Sequence, residues 1–199
     1  MQKKFILILV LTALVCGAKA QVQYSIGPGV GFNYTMHSVT EDSEIFNGFG
    51  ALVTSQLDMQ FSRHFGLILW FDFFSDMSVN ANENNVQEEL IFNYIHISPT
   101  LKYCLPGFPL YFFGGPGIGF NTKGAYKIKY QGSSGEEDLP GIQTRFDFRL
   151  GAGYEFFLTK KLTLTPFAGF NIGLNSVIEN TEWQINAFQA GIVLRYNLF

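Results

Sequence analysis

Two groups of residues in the sequence have types and spacing that could do chemistry. His96 and Ser98 stand two apart, so on a strand an imidazole and a hydroxyl would share one side, as a base and the nucleophile it activates must. Nine ionisable residues, Asp58, Asp72, His96, Lys102, Arg145, Asp147, Arg149, Glu155 and Arg195, interrupt stretches that are otherwise apolar or glycine-rich, and their signs are mixed. Other signals are weaker. Gly115-Pro116-Gly117-Ile118-Gly119 has the look of a phosphate loop, but no Gly-Lys-Ser/Thr is present and no helix follows. His37, His64 and His96 fall on a loop, a turn and a strand without metal-site spacing, so neither a metal nor a cofactor is expected. Cys104 stands without a sequence partner to activate it.

The elements that must position these residues have a period of two. In the first strand Tyr24, Ile26, Pro28, Val30, Phe32 and Tyr34 point one way, and Ser25, Gly27, Gly29, Gly31 and Asn33 the other. The split recurs with Leu57 and Met59 against Gln56 and Asp58. Leu69 and Phe71 oppose Asp72; Ile91, Ile95 and Ile97 share the face opposite His96 and Ser98. Phe146, Phe148 and Leu150 oppose Arg145, Asp147 and Arg149. Eight such strands of about 9 to 13 residues are expected, a length that suits a tilted membrane crossing. Connections alternate between short, near Arg63, Pro106 and Lys160, and long, over residues 36–47, 76–89, 122–141 and 175–183. The expected fold is all-β, an eight-stranded antiparallel up-and-down transmembrane barrel.

Volume decides which face is inside. A small barrel cannot enclose on the order of forty large apolar side chains, whereas the small and polar face fits. The aromatic face must therefore meet lipid. Tyr24, Phe61, Phe65, Tyr103, Phe156 and Tyr196 lie on that face at the strand ends nearest the short turns, where an aromatic girdle belongs. Tyr34, Phe49, Phe73 and Phe120 are the candidates at the other end. The nine ionisable residues then face a narrow lumen, where unpaired charge is costly, and are expected to form a salt-bridged plug. The same placement turns His96 and Ser98 away from lipid, with no acid on the next strand to orient the imidazole. Pro28, Pro99, Pro116 and Pro166 fall within strands, where bulges or ladder gaps are expected.

Only 15% of residues are charged, against about 25% in an ordinary soluble domain. With a formal net charge of −3, the chain excludes a nucleic-acid partner. Residues 1–20 have a basic start (Lys3, Lys4), an apolar run, and Ala18-Lys19-Ala20 as a cleavage site, the layout of a secretory signal peptide. Residues 21–199 form the barrel domain. The expected long loops carry Glu41, Asp42, Glu44, Glu88, Glu89 and Glu182, while the short turns carry Arg63, Lys160 and Lys161. Acidic loops can hold divalent cations that bridge lipopolysaccharide. Residues 125–131 keep alternating beyond the membrane, so the third loop reads as a projecting hairpin around Gly132-Ser133-Ser134-Gly135 with an edge that a protein partner could augment.

The segments Tyr94-Ile95-His96-Ile97-Ser98-Pro99-Thr100-Leu101-Lys102-Tyr103, Gly114-Gly115-Pro116-Gly117 and Gly151-Ala152-Gly153-Tyr154, with a last strand ending in Phe199, resemble the outer-membrane β-barrel domain family of Bacteroidota, often called PorT-like. That family is similar in architecture to eight-stranded OmpX and OmpA-type barrels. The resemblance implies an outer-membrane location in a Gram-negative bacterium and contact with outer-membrane lipid and lipopolysaccharide. It also implies a structural, adhesive or envelope-assistance role with a link to type IX secretion. Gln189-x-Gly191 followed by Leu194, Tyr196 and Phe199 looks like the signal read by the β-barrel assembly machinery. The expected molecule is a monomer and not an enzyme. The alternatives are a narrow porin-like channel and, behind it, a lipid A-modifying enzyme, whose His and Ser the His96/Ser98 pair resembles. A closed barrel should migrate differently in detergent gels before and after boiling; a band indifferent to heating would overturn the fold.

Overall fold

The computed structural model describes residues 22–39, 44–83, 86–130 and 133–198; the expected signal peptide, Glu41, Asp42 and Phe199 lie outside them. The strands are β1 (Gln23–Val39), β2 (Glu44–Gln60), β3 (Phe65–Asp76), β4 (Val79–Glu83), β5 (Val86–Cys104) and β6 (Leu110–Tyr130). They continue with β7 (Ser133–Asp138), β8 (Arg145–Tyr154), β9 (Phe156–Phe157), β10 (Leu162–Gly173) and β11 (Trp183–Asn197). Eight of them close a ring of antiparallel pairs, β1-β2-β3-β5-β6-β8-β10-β11, which returns to β1 through Ile26↔Tyr196 and its neighbours. Closure removes the exposed edges that an open sheet would offer.

Alternation places side chains as the sequence requires. Along β8 the odd positions Arg145, Asp147 and Arg149 are buried and the even positions Phe146, Phe148 and Leu150 are exposed. Phe49 and Leu101 are 69% and 70% exposed, which in water would be a defect and in hydrocarbon is burial. Two bulges break the parity. One between Asp72 and Ser75 leaves Phe73 and Phe74 both outward, and the other adds Thr122 to β6 opposite the Asn93–Tyr94 step of β5.

The strands are longer than expected. β6 runs for 21 residues and β5 for 19. At about 3.3 Å per residue and a tilt near 45°, such strands rise well beyond an apolar band about 25 Å tall. Most of the expected long loops are therefore strand: β1 continues to Val39, and β4 pairs with β5 where a loop was expected. His37 accordingly sits on a strand, buried in the lumen, rather than on a loop. Above the bilayer both strand faces can be wet, and the apolar signal that marks the membrane strands fades. There β4, β5, β6 and β7 make a four-stranded sheet in that order, with Ala125↔Asp138 through Tyr130↔Ser133 forming the projecting hairpin. Lys123 meets Glu136 across it at 2.6 Å, and this contact holds the Glu136 carboxyl below the usual glutamate range.

The strand prolines coincide with gaps in the ladder. The β1–β11 pairing skips from Ile26↔Tyr196 to Gly29↔Val193 beside Pro28. The β5–β6 pairing skips from Ile97↔Ile118 to Leu101↔Gly114, so Pro99 and Pro116 share one gap. A third gap lies beside Pro166, between Leu164↔Phe156 and Phe167↔Gly153. In each case the ladder on the other side of the proline is unbroken, as at Pro28↔Ser55, Leu69↔Pro99, Pro116↔Phe148 and Pro166↔Ile192.

At the loop end, residues 139–144 and 175–182 fold over the mouth. Ile142 bridges to Ile178, Gln143 N–H donates to Val177 O at 2.8 Å, and Glu179 N–H donates to Gly141 O at 2.9 Å. Gly124 makes room for this cover, because a Cβ there would lie 1.7 Å from Ile142 Cδ1. Gly124→Val should displace the cover, leaving the barrel heat-modifiable while backbone amides near Ile142 and Val177 exchange at least tenfold faster by mass spectrometry.

Candidate functional site: a layered lumen

The inward side chains stack in four layers between the short turns and the loop end. Nearest the turns, Asp58 from β2, Lys102 from β5 and Arg195 from β11 meet Glu155, which stands between β8 and β9. Lys102 Nζ lies 2.6 Å from Asp58 Oδ2 and 2.7 Å from Glu155 Oε1. Arg195 donates to the same two acids, through Nη1 to Asp58 and through Nη2 to Glu155 at 2.5 Å. Two cations and two anions thus share a square in which each touches both opposite partners. Burying such charges is costly unless the pairing is this complete.

The second layer is apolar: Leu52, Ile68, Trp70, Phe113, Phe167 and Val193, joined by the ring of Tyr111. Trp70 packs against Phe113 and Phe167 with ring centroids 5.1 and 4.8 Å away. The charges above and below lie against its aromatic faces, with Arg149 over Trp70 at 5.1 Å and Lys102 over Tyr111 at 4.7 Å.

The third layer holds the remaining expected charges. Arg149 donates through Nη2 to Asp72 and to Gln189 Oε1 at 2.7 Å, and through Nε to Asn171 Oδ1 at 3.1 Å. Gln189 passes the network on to Asn33 at 2.8 Å, and Asn33 to Ser75 at 3.1 Å. Thr54 Oγ1 donates to Asp72 Oδ1 at 2.7 Å. Arg145 Nη1 is 3.2 Å from Asp147, and its Nη2 donates to Ile185 O at 3.1 Å. The sequence reading missed Asn33, Thr54 and Asn171 as members, although their inward parity was visible, because neutral polar residues carried no charge signal; Ser75 was on the outward parity and faces inward only past the bulge at Phe73/Phe74.

His96 needs a correction. Its Nε2 lies 2.8 Å from Asp147 Oδ2, its Nδ1 lies 3.0 Å from Ser98 Oγ, and Asp72 approaches Nδ1 at 3.6 Å. An acid does orient the imidazole, but from β8, one strand beyond the neighbour. Gly117 on the intervening β6 permits the reach, since a Cβ there would lie 2.2 Å from Asp147 Oδ1 and 2.5 Å from His96 Cε1. The constellation has the components of a hydrolytic triad, yet Ser98 is 0% and His96 1% exposed, on the lumen side of the wall. With Nε2 donating to Asp147, Nδ1 accepts the Ser98 hydroxyl, and the serine is held as a hydrogen-bond donor inside a filled layer.

The fourth layer is again apolar: Met77, Phe92, Tyr94, Val177, Ile185 and Ala187, roofed by Trp183, Ile142 and Ile178. Trp183 Nε1 donates to His37 Nδ1 at 3.0 Å. Among the described residues no group of His, Cys, Asp and Glu is arranged to hold a metal ion.

On the outer wall, Tyr24, Phe65, Tyr103, Phe156 and Tyr196 are exposed near the turns, with Phe65 and Tyr103 rings 5.3 Å apart, and Phe61 is half-buried in the turn itself. Phe49, Phe73 and Phe120 are exposed toward the other end, where Tyr34 is half-buried with its ring 4.9 Å from that of Phe49.

Known proteins agree with this architecture. The outer membrane protein beta-barrel domain model matches residues 8–196. The chain is similar in fold to OprG of Pseudomonas aeruginosa (TM-score 0.55, 8% identity, covering 88% of this chain and 95% of that one). It is similar also to Neisserial surface protein A (TM-score 0.50, 10% identity, 89% and 99%). A further likeness is to Ail of Yersinia pestis, solved with the heparin analogue sucrose octasulfate (TM-score 0.49, 13% identity, 87% and 99%). Comparison with curated proteins finds no match. The chain belongs to the outer membrane protein β-barrel domain family, an all-β antiparallel barrel of the Gram-negative outer membrane.

Proposed function

We propose that this protein is a sealed, non-conducting barrel that anchors an extracellular β-sheet in the outer membrane, in a structural or adhesive role. The observation that carries the reading is the four-layer lumen: two charged layers alternate with two apolar ones, and both apolar layers contain residues of near-zero exposure such as Trp70 and Phe92. An ion would have to strip its hydration to pass either one. What the barrel holds up is the β4-β5-β6-β7 sheet, whose β7 edge pairs on one side only. The aromatic residues at the two ends of the wall serve as its girdles, and residues 1–20 serve as its export signal. The resemblance to PorT-like barrels supports the envelope-assistance form of the role, in which a secretion component contacts the projecting sheet; co-purification of that component from intact envelopes, lost on removal of residues 126–138, is its test.

In planar bilayers the purified protein should give no conductance above that of the empty bilayer, and discrete openings would overturn the sealed reading. Arg149→Ala leaves Asp72 uncompensated and should cost about 3–5 kcal/mol in urea unfolding from detergent. The double variant Asp72→Leu/Arg149→Met, which removes both charges, should recover most of that loss. Equal losses in the two variants would mean that the ion pair does not stabilise the plug.

A further inference from the structure

The two ends of the lumen differ. The loop end is covered, whereas the turn end opens into a cavity of about 1360 Å³. Its floor is the charge square of Asp58, Lys102, Glu155 and Arg195, and the apolar layer closes it from above. The cavity exceeds the roughly 300–1,000 Å³ of small-molecule pockets. The four floor charges cancel. The rim does not: Arg63 and Lys160 line the mouth, and neither has a carboxylate partner among the described residues. Beside these cations stand Leu105, Phe108 and Phe157, and both phenylalanines are 67% exposed. Inorganic phosphate would use the cations and leave this apolar lip idle. A chain that alternates carboxylates with apolar side chains would use both.

We propose that the turn-side vestibule binds an acidic, extended polypeptide segment of a periplasmic protein. The segment's carboxylates meet Arg63 and Lys160, its apolar side chains cover Phe108 and Phe157, and its tip reaches the polar wall at Gln60 and Cys104. An arginine at such a rim offers a two-pronged grip on carboxylate that also fixes the direction of approach. The proposal takes only its orientation from the sealed-barrel reading, with the short turns facing the periplasm. A conducting barrel would refute that reading and leave this site standing.

The Cys104 thiol is half-buried in the cavity wall and gives the experiment an internal reporter. The purified full-length protein in a neutral detergent is titrated with a fluorescent peptide of alternating Glu and Leu, and with the same peptide carrying Gln for Glu. The Glu peptide should bind at least tenfold tighter than the Gln peptide. It should lose at least tenfold on Arg63→Gln/Lys160→Gln, two exposed turn positions whose replacement leaves the heat-modifiable band intact. At saturation it should slow alkylation of Cys104, mapped by mass spectrometry, at least fivefold. Equal binding of the two peptides, an unchanged affinity in the double variant, or unaltered Cys104 alkylation would each overturn the proposal. Displacement of the peptide by equimolar inorganic phosphate or short-chain phosphatidylglycerol would also overturn it, in favour of a phosphate or a lipid headgroup.

Discussion

A charge inside a narrow barrel has to find its opposite within its own cross-section, because the wall on every side is backed by hydrocarbon. That constraint organises the molecule. It groups Asp58, Glu155, Lys102 and Arg195 into one neutral square, and it sets Arg149 against Asp72 and Arg145 against Asp147 as two ion pairs with His96 between their acids. Apart from Arg145 and Asp147, two residues apart on β8, the partners come from different strands, so those pairs form only as the wall assembles. The glycines follow from the same demand. At Gly117 the missing side chain lets a carboxylate from one strand cross its neighbour to reach an imidazole on the next. At Gly153 it leaves the space that the Tyr111 ring fills.

The two apolar layers depend in turn on the charged ones. Trp70 would be an odd residue in a polar lumen without Arg149 over its face, and Tyr111 is flanked by Lys102 and Arg195 in the same way. Alternating the layers keeps each set of charges close to polarisable rings and apart from the other set. The interior is therefore built as a soluble protein core is, by close packing and paired charges, although the molecule around it is inverted.

Much of this was legible in the residues. Alternation along Arg145, Asp147 and Arg149 against Phe146, Phe148 and Leu150 required two faces of opposite character, and volume alone sent the aromatic face outward. The bulges at Phe73/Phe74 and at Thr122 were not legible, because an extra residue changes parity without changing composition. The upward extension of β5 and β6 was half-visible: alternation past Ala125 showed the hairpin, but Val79 to Glu83 read as loop where no lipid-facing apolar set marks the strand. The orienting acid of His96 escaped notice for a different reason. Adjacent strands were the natural place to look for it, and only a gap the size of a side chain at Gly117 brings Asp147 within reach.

The shared gap at Pro99 and Pro116 bears on how the wall behaves in the bilayer. The β5–β6 register is the same above and below it, so the two prolines sit opposite each other and withhold their missing donors from one seam. Placed apart, they would leave backbone carbonyls without partners at two depths of the hydrocarbon, where each is expensive. Placed together, they confine that loss to one short slit, behind which lie Ser98 and the rings of the second layer. The barrel therefore has a built-in pleat: a line along which neighbouring strands can lean without shearing the ladder on either side, while the packed interior keeps the slit from becoming a leak.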